Sequence, residues 1–254
     1  MRDPARLAWP TLAFSLLLLV WAVASAYGPW PEFIFPPPLK VGRALLQLWR
    51  DGWLLPSLVA TARRLALGFV VSLVVGALLG FVMARFKPAR QGLRPYLLGL
   101  QSLPGVAWVP VGILWFSFSE EALLFVTIFG SVFAAALMFT DAIGSVPRSY
   151  LQAGQVLGAR GVTLVALVAF PAALPMMVTA MKQTWAFAWR SLVGAELIFA
   201  TVGLGFLLNQ GQEFFRIDQV FGTMILTLFI GLATEVLLFA GAERWVRQRW
   251  ALGS

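Results

Sequence analysis

Leu65-Ala66-Leu67-Gly68-Phe69-Val70-Val71-Ser72-Leu73-Val74-Val75-Gly76-Ala77-Leu78-Leu79-Gly80-Phe81-Val82-Met83-Ala84 runs for 20 residues without one charge. As a helix that length covers ~30 Å, the thickness of bilayer hydrocarbon. The run lacks the alternation of a strand, and only a closed barrel satisfies strand backbone in lipid. It therefore reads as a membrane-spanning helix. Gly68, Ser72, Gly76 and Gly80 recur at every fourth position, a stripe that lets another helix approach closely.

Outward from this run, five more stretches have the same character. They are Ala8 to Tyr27, Tyr96 to Phe116, Ala122 to Asp141, Met176 to Ile198 and Val220 to Ala242. The composition agrees: 60% of the 254 residues are hydrophobic and only 12% are charged. Soluble domains run at about 45–50% apolar and about 25% charged. The expected fold is an all-α integral membrane protein of six transmembrane helices, forming a single domain over 1–254. Tyr96–Phe116 contains Pro104, Gly105, Pro110 and Gly112, so Pro104 and Pro110 predict a broken helix, tolerated where it lines a cavity or is buried in protein. Pro29 to Pro38 is an extracytoplasmic Pro-rich stretch, and Val41 to Trp49 reads as a short amphipathic interfacial helix.

The net charge of +8 is spread in short clusters between apolar runs, which argues against nucleic acid as a partner. With the N-terminus inside, eleven Lys and Arg fall on the cytoplasmic side and six outside, with Lys182 and Arg190 inside a span. That bias predicts an N-in, C-in topology, although the Arg63-Arg64 pair opposes it. Arg2 and Arg6 before Leu12–Val23, with Ala24-Ser25-Ala26, also suit a cleaved signal peptide. The 20 residues from Ala8 to Tyr27 favour an uncleaved first helix. The chain has no Cys and no His, which excludes His- or Cys-based zinc sites, haem ligation and His-dependent triads. It has no GxxxxGK[ST] run for binding nucleotide phosphates, and no cofactor is expected.

The segment 148–175 carries the functional signal. Ser149-Tyr150-Leu151-Gln152-Ala153-Gly154-Gln155-Val156-Leu157-Gly158-Ala159-Arg160 reads as a short helix stopped at Gly158. An apolar helix follows, expected to end at Pro171 and Pro175. A short amphipathic helix at the membrane face suits docking into a partner's groove. This segment resembles the "EAA" motif of binding-protein-dependent ABC importer permeases, with Gln152-Ala153-Gly154 at EAA, Gly158 at the motif glycine and Leu174-Pro175 at its end. Leu103-Pro104-Gly105-Val106-Ala107-Trp108-Val109-Pro110 with Leu114-Trp115-Phe116 resembles the "IPxxAxxPLxxLWFG" stretch of the nitrate/sulfonate/taurine/bicarbonate branch. Ala188-Trp189, Ala195-Glu196-Leu197 and Gly203-Leu204-Gly205 resemble its "AW…AEM…GLG" stretch, and Pro37-Pro38 with Val41 and Arg63-Arg64 with Gly68-Phe69 also fit.

The resemblance covers roughly 30–245. It implies a type I (MetI-like) permease in the inner membrane, itself no enzyme. It also implies a cytoplasmic ATPase dimer that uses ATP and Mg, an extracytoplasmic solute-binding protein and a second permease copy in a homodimer. Gln152, Ala153, Gly154, Gly158, Ala159 and Arg160 would then couple to the ATPase. The sequence departs at Gln152 and Gly154, where the motif has Glu and Ala; if the motif carboxylate pairs with an ATPase arginine, this chain must use a neutral hydrogen bond there instead.

Charge at bilayer depth costs about 2.5–3.5 kcal/mol per residue, so Lys182, Arg190 and Glu196 in the fifth span need a reason. At ~100° per residue they fall on one arc with Gln183, Trp185, Ala186 and Trp189. This face is expected to line the substrate pathway, with Arg190 receiving an anion. The bland alternative has Lys182 and Glu196 reaching the two interfaces. The competing function is a stand-alone secondary transporter or channel, which would need an inverted repeat or a carboxylate relay.

Overall fold

The computed structural model describes residues 5–249, so Arg2 lies outside the described residues. Every regular element among them is helical. In order these are α1 (Ala5–Tyr27), α2 (Pro38–Arg50), α3 (Leu54–Arg85), α4 (Lys87–Ser102), a 3-10 turn (Gly105–Trp108), α5 (Val109–Phe116), α6 (Glu120–Gly144), α7 (Arg148–Val156) and α8 (Gly161–Leu164). A π-turn (Val165–Ala169) leads into α9 (Phe170–Phe199). Then come α10 (Leu204–Glu213), α11 (Ile217–Thr234), a second π-turn (Glu235–Phe239) and α12 (Ala240–Arg249).

Four helical stretches are long and apolar enough to cross a membrane: Leu54–Arg85, Glu120–Gly144, Val165–Phe199 and Ile217–Val246. The bent pair Lys87–Ser102 and Gly105–Phe116 makes a fifth if counted as one span. Thr11–Tyr27 is apolar but shorter.

The centre of the bundle is α6, buried along most of its length between α3 and α9. Ser119 caps it, its hydroxyl accepting from Ala122 N–H at 3.4 Å, and Glu120 and Glu121 suit the positive end of the helix dipole. The Gly stripe of α3 meets α6 in step. Gly68 faces Thr127, Ser72 bonds Ser131 at 2.8 Å, Gly76 faces Ala135 and Gly80 faces Phe139. The paired positions advance together along the two helices, so the helices are parallel. The Ser72–Ser131 bond contributes only about 0.6 kcal/mol in a membrane, so close backbone packing carries the pair. Thr127, Ser131 and Thr140 satisfy their hydroxyls on carbonyls one turn back, each at 2.7 Å.

The expected break at Pro104 is present: α4 and the Gly105–Phe116 stretch meet at 98°. Gly105 and Gly130 both press on Ser191, so the turn, α6 and α9 converge where a side chain on either glycine would collide. Two expectations need correction. The helix expected from Leu65 starts earlier: α3 begins eleven residues before the apolar run and takes in Arg63 and Arg64. Pro171 and Pro175 do not end a helix; both lie inside α9. The π-turn just before them explains this. Phe170 N–H bonds Val165, five residues back, and the widened turn takes up the ring and missing donor of Pro171.

The remaining elements wrap this core. α2 forms as expected and packs on α11, where Gly222 lies against Leu45 and Val41. Phe14 and Trp21 of α1 meet Phe229 and Phe221 at 5.9 and 6.3 Å between ring centroids.

Candidate functional site

Three constructions draw on the residues singled out by sequence. The first is the segment after α6. α7 ends at Gly158 with φ +90, a conformation that costs an L-residue about 1 kcal/mol or more. Gly158 N–H bonds Gln155 (3.0 Å) and Ala159 N–H bonds Gly154 (2.9 Å), the two crossed bonds of a Schellman stop. Gly154 is buried, and a Cβ there would lie 2.8 Å from Leu164 and 2.9 Å from Val168. Glycine at this position lets α7 lie against the π-turn. Gln152, Ala153 and Arg160 face outward and Ala159 is half-buried. At the tip, Val156 and Leu157 are each 88% exposed, an apolar pair with nothing over it.

The second is a hollow of about 500 Å3 between α9 and the last helix. Lys182, Gln183, Trp185, Ala186, Trp189 and Arg190 line it from α9, as the helical arc predicts, and Gly231, Glu235 and Glu243 line the other wall. Sequence reading missed the acidic wall. Lys182 bridges Glu243 at 2.9 Å and Glu235 at 3.3 Å. Arg190 donates to Ala186 carbonyl (3.1 Å) and lies 4.8 Å over the Phe187 ring, and it makes no ion pair among the described residues. It is thus a cation with donors to spare. A guanidinium with unused donors is chemically suited to a planar oxyanion.

The third construction takes Glu196 away from that hollow. Glu196 is fully buried, and its carboxylate accepts from Thr61 (2.8 and 3.0 Å), Arg64 (2.8 Å) and Gly205 N–H (3.1 Å). Arg64, 3% exposed, also donates to Val202 carbonyl (2.5 Å) and forks onto Glu120, which Arg63 contacts at 3.0 Å. Leu204 N–H donates to Thr61 Oγ1 at 2.9 Å. The first N–H groups of α10 thus end on this cluster, where a negative charge also suits the helix dipole. Gly203, at φ +147, closes over the carboxylate so tightly that a Cβ would come within 2.5 Å. The cluster clasps α3, α6, α9 and α10 together. The arc placed Glu196 beside Lys182 because a single-helix projection does not register that α3 and α10 cover that face at the C-terminal end of α9. A usable signal was present: an intramembrane acid requires a partner, and Arg63-Arg64 directly border a 20-residue uncharged run.

Residues 72–251 match the profile of the family described as "Binding-protein-dependent transport system inner membrane component". The taurine transport system permease protein TauC of Escherichia coli (strain K12) is 30% identical over 237 residues, 90% of this chain and 85% of that protein. The riboflavin transport system permease protein RibX of Chloroflexus aurantiacus is 29% identical over 254 residues, 98% of this chain and 94% of that protein. Among solved structures, a chain of the MetNI methionine ABC transporter in an inward-facing conformation superposes with a TM-score of 0.58. It is 21% identical, covering 80% of this chain and 97% of that one, a likeness of fold. Nothing in these matches supports a stand-alone transporter. The chain belongs to the binding-protein-dependent transport system inner membrane component family, as the multi-pass inner-membrane permease of an ABC importer and not as an enzyme.

Proposed function

We propose that the chain crosses the membrane six times with both ends in the cytoplasm, and that two copies enclose a path for a small anionic solute of the nitrate, sulfonate, taurine or bicarbonate class. An extracytoplasmic binding protein delivers the solute. A cytoplasmic ATPase dimer seated on α7 supplies the free energy from ATP and Mg, and this chain binds no cofactor.

The observation that carries the reading is the tip of α7. Val156 and Leu157 stand uncovered on a turn locked by two crossed hydrogen bonds, which is the form of a rigid knob for a partner's groove. Gln152 faces outward as a neutral group, so contact rests on shape and packing. Orientation is supported by the charge bias, eleven Lys and Arg inside against six outside, and of those six Arg64 is buried and paired with Glu120 and Glu196. α1, at 23 residues, is long enough to be the sixth crossing. For the cargo, Arg190 is the cation of its hollow that makes no ion pair among the described residues, and the buried indole N–H of Trp185 in the same lining has no hydrogen-bond partner among them.

Uptake in proteoliposomes holding the whole transporter tests both ends. Val156→Asp with Leu157→Asp should leave a folded permease that no longer retains the ATPase. Arg190→Ala should retain it while uptake of a sulfonate falls about 10- to 100-fold, the worth of a hydrogen bond to a charged group. ATPase retention by the first variant, or wild-type sulfonate uptake by the second, would refute the corresponding half.

A further inference from the structure

Arg85, Lys87, Arg90 and Arg94 put four cations into ten residues, and no acidic residue occurs between Gly52 and Ser119. Lys87, Arg90, Gln91, Arg94, Pro95 and Leu98 fall on one face of α4 and edge a hollow of about 450 Å3. The opposite face is occupied, since Leu97 is buried against Met83, Ala136 and Leu137. Arg94 is held by Asp141 through two bonds of 2.7 and 3.1 Å. Lys87 and Arg90 make no ion pair among the described residues.

Higher on the same helix the character changes. Pro95 and Leu98 continue the face, and Tyr96 and Leu93 beside it are exposed. Two uncompensated cations therefore lead directly into an apolar wall one turn beyond the Arg94–Asp141 pair. An acidic soluble protein would match the cations and leave Leu98 and Tyr96 uncovered. A phosphodiester bearing acyl chains matches both parts.

We infer that this face of α4 binds the headgroup of an anionic phospholipid, with Lys87 and Arg90 on the phosphate and the acyl chains along Leu98. Arg94 has its fork committed to Asp141 and serves as the fixed rim of the site. The inference rests on the proposed orientation only for the leaflet that supplies the lipid, which is the cytoplasmic one.

The test is native mass spectrometry of the full-length permease, purified with its ATPase and titrated with phosphatidylglycerol or phosphatidylcholine. Wild type should retain phosphatidylglycerol in preference to phosphatidylcholine. Lys87→Gln with Arg90→Gln should bind phosphatidylglycerol about 30-fold more weakly, given the worth of each basic residue near an anionic surface. Arg43→Gln with Arg50→Gln removes the same charge from the exposed face of α2 and should bind as wild type. Equal loss in both double variants would reduce the effect to net charge and overturn the site. So would unchanged retention in the first, or loss of the ATPase there with lipid kept. No transport is read, so failure here leaves the pathway reading standing, and failure of that reading leaves this result interpretable.

Discussion

Glu196 occupies a position where a lone carboxylate would cost several kcal/mol, and every oxygen lone pair it has to spare is directed at a donor. Replacing it by the isosteric amide leaves Arg64 buried with one counter-charge fewer and turns an N–H2 group toward the N–H groups that begin α10. Glu196→Gln should therefore destabilise the detergent-solubilised permease by about 3 kcal/mol, read as a fall in melting temperature. Glu120→Gln, at the 44%-exposed end of the same network, should cost about 1 kcal/mol or less. Equal losses would mean that burial is not what makes the clasp matter. Much at this scale was legible in sequence. Lys182, Gln183, Trp189 and Arg190 do share one hollow, because side-chain direction on a helix follows from spacing alone. Arg64–Glu196 was not legible, because the partners lie 132 positions apart and no local rule connects them. The acids opposite Lys182, Glu235 and Glu243, were hidden for the same reason.

Among the elements, the α3–α6 pair depends on glycine for contact distance. At Gly76 a Cβ would collide with Ala135 of a buried helix whose backbone is pinned on its other side by α9. Gly76→Leu should separate the pair and abolish assembly of the transporter in membranes, scored by recovery of intact complex. Gly92→Leu, where nothing lies within 4 Å, should assemble normally. The stripe was readable because close packing in lipid leaves a periodic mark in small residues. The stop at Gly158 was readable because a left-handed residue there requires glycine. The prolines misled. Proline ends a regular α-helix, but a π-turn beside it changes the hydrogen-bonding register, and no residue pattern in 165–169 announces that turn.

For the whole molecule, the exposed break at Ser102–Pro104 is informative. It lies level with the middle of α6, where Gly105 and Gly130 meet Ser191, and irregular backbone at such depth is not tolerated against lipid tails. The apolar face beside it, with Val106, Leu114 and Ile198, should therefore adjoin the second copy around the path. The chain has no cysteine, so single substitutions report without background. Leu114→Cys should form a disulfide-linked dimer on oxidation in membranes, whereas Leu78→Cys on the outer side of α3 should stay monomeric. The reverse pattern would assign the faces the other way. The bundle's stiffness is unevenly distributed. α3 and α6 descend side by side, fastened at four successive levels, and neither contains a bulge. α9 and the final helix each carry one wide turn, and Lys182 ties the second of these to α9. A load applied at the tip of α7 should thus be taken up first as flexure in those two softer columns, while the stiffer twin spar beside α9 carries its tilt toward the opposite end of the bundle.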